Sequence, residues 1–286
     1  MSSFNWEQYL ENYPDLKDAC IFTQQQVLTH YQRYGKSEGR VDTYNATINN
    51  TYKKDSSIGA VMIYTVLCGH IAKCNNLKMK YHFENELKSL GMEMYNGTET
   101  YDSNIILTND NIQTIFENQI EKKNVIIHDT FEIPYVANFI KKHLNKKKIM
   151  SANLYKYRYL SNNDLFVHVR IDGIENSNDF EPFEYYDLAI SKLQFDFGYI
   201  SSDCIKHPIC TKLIRKYNLK IIKTDEIGTL QWGSTCKWIV LSKSKLSWWI
   251  GLFAFCDSIV YYPERNNKNT KHVQLFTFKD WNKVKW

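Results

Sequence analysis

Asp164-Leu165-Phe166-Val167-His168-Val169-Arg170-Ile171-Asp172 is the stretch that decides the fold. Leu165 to Val169 reads as a buried strand. Side chains alternate along a strand, so His168, Arg170 and Asp172 share one face and Val167, Val169 and Ile171 take the other. A guanidinium, an imidazole and a carboxylate at a strand's exit suit a phosphate-bearing ligand, because open α/β sheets bind ligands beyond the carboxyl ends of their strands. The same three side chains would serve equally well as an ion pair closing the end of a sheet. Geometry alone divides evenly between the two.

Working outward, the pattern around this strand repeats. Phe183 to Leu193 reads as a helix, Phe197 to Ser201 as a strand and Pro208 to Tyr217 as a helix. Leu219 to Lys223 and Trp238 to Leu241 read as strands, Ser244 to Phe255 as a helix and Ser258 to Tyr262 as a last strand. Upstream, a helix follows Ser57 and Gly59, with Val61, Met62, Tyr64, Thr65, Cys68 and Ile71 facing inward. Lys78 to Phe83 reads as a strand, Glu84 to Leu90 as a helix, Asn124 to His128 as a strand and Phe131 to Leu144 as a helix. Such alternation marks an α/β protein with doubly wound sheets. The expected architecture is two Rossmann-like lobes, residues 42–155 and 156–286, with a seam near 145–160 and a ligand cleft between them.

Residues 1–41 form a separate unit. Trp6, Tyr9, Leu10 and Tyr13 recur at helical spacing, and Pro14 ends that helix. Thr23-Gln24-Gln25-Gln26 opens a second helix as a capping box, and Gly35 is placed to close it. The expectation is a small helical hairpin with an aromatic seam, suited to docking rather than chemistry. Residues 42–56 read as a polar linker with a short strand at 44–48.

Composition narrows the function. The chain has 286 residues, 43% hydrophobic and 15% aromatic, enough for a large core, and its net charge of +5 does not call for nucleic acid. Its basic runs, Lys141-Lys142 and Lys146-Lys147-Lys148, read as solvated helix ends. The 7 cysteines contain no Cys-x-x-Cys pair, so reduced thiols in a cytoplasmic compartment fit best. Cys204, His207 and Cys210 lie close in sequence, where plain packing outweighs a metal site. The polar start is not a secretory leader, and the most apolar run, Trp248 to Cys256, is too short to span a bilayer. Three Asn-x-Thr sequons, at Asn45, Asn49 and Asn96, read as chance in an Asn-rich chain.

Two more strand ends carry chemistry. In Tyr199-Ile200-Ser201-Ser202-Asp203, Ser202 and Asp203 are placed either to hydrogen-bond a ribose or base or to cap the next helix. In Ser242-Lys243-Ser244-Lys245-Leu246-Ser247-Trp248-Trp249, a strand turns into an apolar helix with Ser244 as N-cap and Ser247 at N3. Lys243 and Lys245 sit where the helix dipole disfavours cations, which favours an anion between them over a merely well-capped helix. No Asp-x-Asp, Gly-x-Gly-x-x-Gly, Walker loop or hydrolase elbow occurs.

On these residues the chain resembles a known family. Phe166-Val-His-Val-Arg-Ile-Asp172 is similar to the His-x-Arg motif of fucosyltransferases that use GDP-fucose, especially the α-1,2 family and its large-virus relatives. Ile239 to Trp249 looks like that family's Ser-x-Ser-Thr-Phe-Ser-Trp-Trp segment, and Ser57 to Ile63 its glycine-rich loop. His128 to Glu132 stands where the family has a Tyr-Phe-Gln-type segment. The likeness spans roughly residues 56 to 265, and residues 1–41 resemble a helical module appended to many glycosyltransferases. The chain departs from the pattern at Ala60-Val61, Gly173 and Lys245-Leu246.

The resemblance implies a two-lobed GT-B fold and metal-independent, inverting transfer, with no cofactor beyond the donor. Arg170 would hold the donor diphosphate, and Ser244 to Ser247 would cradle phosphate or nucleotide. His168 and Asp172 would shape or serve the active site, either one acting as base. The expected partners are a nucleotide sugar and a glycan or glycoprotein acceptor, with neither nucleic acid nor a membrane span. The competing expectation is a relative that binds nucleotide sugar or glycan without turnover.

Overall fold

The computed structural model describes residues 4, 6–13, 15–38, 40, 57–118, 122–127, 129–160, 162–171, 180–255, 257–264 and 275–286. Pro14, the strand expected at 44–48, the sequons Asn45 and Asn49, His128, Asp172 and Gly173 lie outside the described residues.

The first elements are α1 (Trp6–Asn12), α2 (Asp15–Asp18) and α3 (Gln24–His30), which runs on into a π-helical turn, Tyr31–Gly35. The capping box at Thr23 and Gln26 is formed in both directions. Tyr9 is fully buried among Phe4, Tyr13 and Tyr31, and its hydroxyl is 3.1 Å from His30 Nδ1. Gly35 does not end the helix as expected. Lys36 is still right-handed, and a Cβ on Gly35 would lie 2.0 Å from the Tyr9 hydroxyl. The glycine is there for close approach, not for a stop.

Next come α4 (Ile58–Asn75), α5 (Glu84–Ser89), β1 (Asn104–Leu107), α6 (Ile112–Glu117), β2 (Asn124–Ile127), α7 (Pro134–His143) and α8 (Lys146–Ala152). α4 is apolar on every side and mostly buried, so it is a core helix. By length and composition it is the one helix among the described residues that would also suffice to cross a membrane. β1 and β2 pair in parallel from Asn104↔Asn124 to Leu107↔Ile127. The strand expected at 78–83 is not formed. Its Lys-Met-Lys alternation meets an irregular return rather than a strand edge, leaving one bridge, Leu77↔Glu99, and a bond from Met79 N to the Asn96 side chain. α7 starts at Pro134, not at Phe131, because Phe131 is left-handed (φ 53°) and Pro134 supplies the pre-set first helical residue. Lys141, read as solvated, pairs with Asp280 at 2.7 Å.

The seam expected at 145–160 is regular structure. Asn145 caps α8, a 3-10 turn follows at Lys156–Leu160, and buried Asn153 donates to Gln231 O and the Tyr159 hydroxyl. The remaining elements are β3 (Leu165–Val169), α9 (Phe183–Ile190), β4 (Gly198–Ser202), α10 (Pro208–Tyr217), β5 (Lys220–Ile221), α11 (Glu226–Gly233), β6 (Trp238–Leu241), α12 (Lys245–Phe253), β7 (Ile259–Pro263) and β8 (Asn282–Val284).

Strands β3 to β8 form one all-parallel sheet in the order β5-β4-β3-β6-β7-β8. The chain winds one way from β3 to β5, then returns to the other side of β3 and winds the opposite way. This is the doubly wound order, and its reversal lies between β3 and β6. The expected alternation of β3 holds. Val167, Val169 and Ile171 pack with Tyr185, Tyr186 and Leu213 of α9 and α10. Phe166 faces the opposite side, in a core that runs through α12 to Met62 and Leu67 of α4. Trp248 and Trp249 are fully buried there, each contributing roughly 2–3 kcal/mol of apolar burial.

Candidate functional site

The reversal of the sheet puts the exits of β3 and β6 side by side. His168 is paired with Leu241, and Ser242 N donates to His168 O at 3.0 Å. The residues beyond the two strands therefore stand at neighbouring strand ends, the place where doubly wound sheets form their crevice: Arg170 beyond β3, and Lys243, Ser244 and Lys245 beyond β6. The exit of β4 lies on the other side of Arg170, through the pair Val169↔Ser202.

Arg170 is held from that side. Its Nε is 2.8 Å from Asp203 Oδ2, and Asp203 Oδ1 accepts the next backbone N–H, that of Ile171, at 2.9 Å. One carboxylate thus fixes both the guanidinium and the chain that carries it. Arg170 remains 41% exposed, so its other N–H groups are within reach of a ligand. Ser202 accepts Cys204 N in a tight turn. Neither Ser202 nor Asp203 caps α10; His207 does, its Nδ1 accepting Ile209 N. The Cys204, His207 and Cys210 group forms no metal cluster, and none of three or more candidate ligands exists among the described residues.

Ser242, Ser244 and Ser247 form a hydroxyl chain. Ser244 is the N-cap of α12, accepting Ser247 N at 3.1 Å as the motif suggested. Ser247 Oγ lies 2.6 Å from His168 Nδ1, 2.9 Å from Ser242 Oγ and 2.9 Å from Ser244 Oγ. His168, Ser242 and Ser247 are buried. Burial drives the His168 pKa down to about 4, with Asp203 pulling it up and Arg170 pushing it down to lesser degrees. His168 is therefore neutral at pH 7, and Ser247 is placed to donate to it. Of the residues singled out in 242–247, Ser242 and Ser247 are buried in this network, Ser244 joins it from the half-buried turn, and Lys243 and Lys245 are half-buried on either side of Ser244.

The upstream half packs on the start of α12. Ser57 is exposed and opens α4 without making a side-chain cap bond, so the helix's first N–H groups carry no side-chain oxygen from it. Gly59 packs directly on the start of α12: a Cβ there would sit 3.0 Å from Lys245 Cβ and 3.1 Å from Leu246 N. Trp249 Nε1 donates to Gly59 O at 2.8 Å and locks the pair. Two helix N-termini abut, each with a partial positive charge.

Glu132, which sequence motifs alone did not single out as a site residue, lies 2.5 Å from Lys245 Nζ. It stands in the turn after β2, and its place at a strand's carboxyl end was the available signal. In the same turn Asp129 accepts Asn109 N at 2.7 Å, tying the exits of β1 and β2 together. Burial first, then Glu132, Cys68 and Asp129, raise the Tyr64 hydroxyl to about 12.

No family model matches the chain. No curated protein matches it either. Among solved structures it is similar to the NodZ alpha-1,6-fucosyltransferase soaked with GDP-fucose, with a TM-score of 0.43 and 10% identity over 69% of this chain and 89% of the other.

Proposed function

We propose that this protein is a glycosyltransferase that seats a nucleoside diphosphate sugar at the β3–β6 reversal and passes the sugar to a hydroxyl of a glycan or glycoprotein. One observation carries the proposal: two helix N-termini abut at Gly59 and Lys245, at the exit of β6, which pairs with the strand that leads to Arg170, at the reversal of a doubly wound sheet. Like partial charges in contact, with a lysine added, favour an anion between them. A diphosphate supplies the matching charge, and Arg170's planar fork suits two of its oxygens.

In this reading the acceptor oxygen attacks the anomeric carbon as the bond to the diphosphate breaks, inverting that carbon. Arg170, Lys243, Lys245 and the two helix ends stabilise the charge on the departing diphosphate. Asp203 fixes Arg170, and the Ser242–Ser247–His168 network fixes the turn after β6. His168, neutral and buried, is a positioning residue here, and the acceptor's proton goes to a carboxylate, with Asp172 the first candidate. A two-lobed GT-B arrangement, a metal-independent reaction and GDP-fucose as donor are further parts of the proposal, resting on the resemblance of residues 166–172 and 239–249. A reducing, cytoplasmic setting belongs to it too, since Cys20, Cys68, Cys74, Cys204, Cys210 and Cys236, the described cysteines, form no disulfide with one another. So does docking through the N-terminal module, where Phe22 and Tyr34 are exposed.

A second reading, binding without turnover, is favoured by one fact: Arg170 and Lys245 both already hold carboxylates. A panel of nucleotide sugars, read as released nucleoside diphosphate beside thermal shifts with GDP and UDP, separates the two. Turnover, highest with GDP-fucose, is expected. A thermal shift without turnover selects the second reading, and neither signal overturns both.

A further inference from the structure

A cavity of about 350 Å³ opens at the opposite end of α4 from the crevice. His70 and Lys73 enter it from the last turns of α4, His143 from the end of α7 and Lys148 from α8. Eleven residues of α4 separate His70 from Gly59, roughly 16 Å at 1.5 Å per residue, so this cavity is distinct from the crevice.

Its construction is specific. Beside Gly69 the wall has room, since a Cβ there would meet nothing closer than 3.8 Å. Gly91, left-handed at φ +71°, lets the 91–95 segment approach α8 so closely that a Cβ would fall 2.7 Å from Lys148 O. The rings of His70 and His143 are 5.1 Å apart, and both pack on Phe139. His143 Nδ1 donates to Phe139 O, which fixes that ring.

The charge is one-sided. Among the described residues neither Lys73 nor Lys148 makes an ion pair. Glu93 is the one carboxylate on the lining, and it accepts from Asn145. His70 is held below its usual pKa chiefly by burial, then by His143 and Lys73, so the positive charge on this wall is that of Lys73 and Lys148. An anion between these two lysines would balance it. The volume exceeds what a bare phosphate or sulfate fills and lies at the small end of ligand pockets. Glu93, Asn145 and the backbone of the irregular 92–95 segment supply partners for hydroxyls.

We infer that this cavity is a second binding site, for a sugar unit bearing one anionic group, with the anion between Lys73 and Lys148 and the hydroxyls toward Glu93 and Asn145. The site is independent of the donor crevice, and its test does not depend on turnover.

Calorimetry on the full chain tests it with glucose 6-phosphate, glucuronic acid, glucose and inorganic phosphate as probes. One or both acidic sugars bind, which also tells phosphate from carboxylate. Glucose and phosphate alone bind at least about tenfold more weakly. Lys73→Met with Lys148→Met weakens the acidic sugar by about tenfold or more, while Arg170→Ala leaves it unchanged. Both lysines are exposed, so the double variant folds, and an unchanged circular dichroism spectrum checks this. Equal binding of glucose overturns the anion, and equal binding of phosphate overturns the sugar. Loss in Arg170→Ala but not in the double lysine variant assigns the binding to the crevice and overturns the second site.

Discussion

Glu132 Oε1 lies 2.5 Å from Lys245 Nζ, joining the turn after β2 to the first residue of α12. The lysine that a diphosphate would need is thus held by a carboxylate from the other half of the chain. An incoming diphosphate must compete with Glu132 for it. Glu132→Gln removes the competitor, and GDP should bind about three- to tenfold more tightly, as loss of a partly exposed ion pair of about 1 kcal/mol implies. Lys245→Met should weaken GDP by about tenfold or more. Both differences shrink at high salt. Calorimetry reads all three, and weaker binding in Glu132→Gln would remove the competition.

Asp203 grips Arg170, yet Arg170 is 41% exposed, so the pair adds little to stability while orienting the guanidinium. Arg170→Ala should move the melting temperature by no more than about 2–4 °C, the effect of about 1 kcal/mol. It should nonetheless lower kcat/KM by about a hundredfold or more, the loss of a charge-assisted bidentate contact. Arg170→Lys keeps the charge without the fork and should recover only part. Full turnover in the alanine variant would remove Arg170 from the donor seat.

His168 gives a pH signature. Its pKa falls from the ordinary 6.5 to about 4 on folding. Between those values the unfolded chain takes up a proton that the folded chain does not, so stability rises with pH through this window and falls as acid is added. The full effect is on the order of 3 kcal/mol by pH 4. The melting temperature should drop from pH 7 toward pH 4.5 in the native chain. It should drop less in His168→Gln, the remainder including the smaller contribution of half-buried His70, which is shifted the same way. Parallel pH profiles would show that His168 is not a neutral buried ring.

Two glycines predict opposite signs. A Cβ on Gly233 would fall 2.5 Å from the ring of Phe166, which is fully buried on β3. Gly233→Ala should destabilise by about 1–3 kcal/mol through overpacking. On Gly69 the nearest atom would be 3.8 Å away, in the interior of α4. Gly69→Ala should stabilise by up to about 1 kcal/mol from helix propensity alone. Denaturant midpoints compare them.

The strands of the main sheet are legible because β3, β6 and β7 carry apolar residues at successive positions, and their alternation sorts Phe166 from Val167 correctly. Elements whose order comes from tertiary partners are not. α11 mixes Gly, Thr and Gln, and only its cap, Asp225 accepting Gly228 N, announces it. β1 has four residues with three at least partly exposed, and it exists because β2 lies beside it. α8 hides in a lysine-rich stretch, although Asn145 is a legible N-cap. In the site, Arg170, Asp203 and Ser244 stand out by position and chemistry. Their wiring does not: that Asp203 clamps Arg170, or that Glu132 reaches Lys245, depends on which loops the sheet reversal brings together.

That reversal also shapes the route to the native state. Leu165 must find both Gly198 and Trp238, and the second lies far along the chain, beyond two intervening strands and three helices. A parallel sheet offers no hairpin to start from, and closing so long a loop loses chain entropy before any bond returns it. The β3–β6 seam is therefore expected to close late in folding. During refolding, helical signal should recover first, and the nucleotide binding proposed for this site last, because its two walls must first meet.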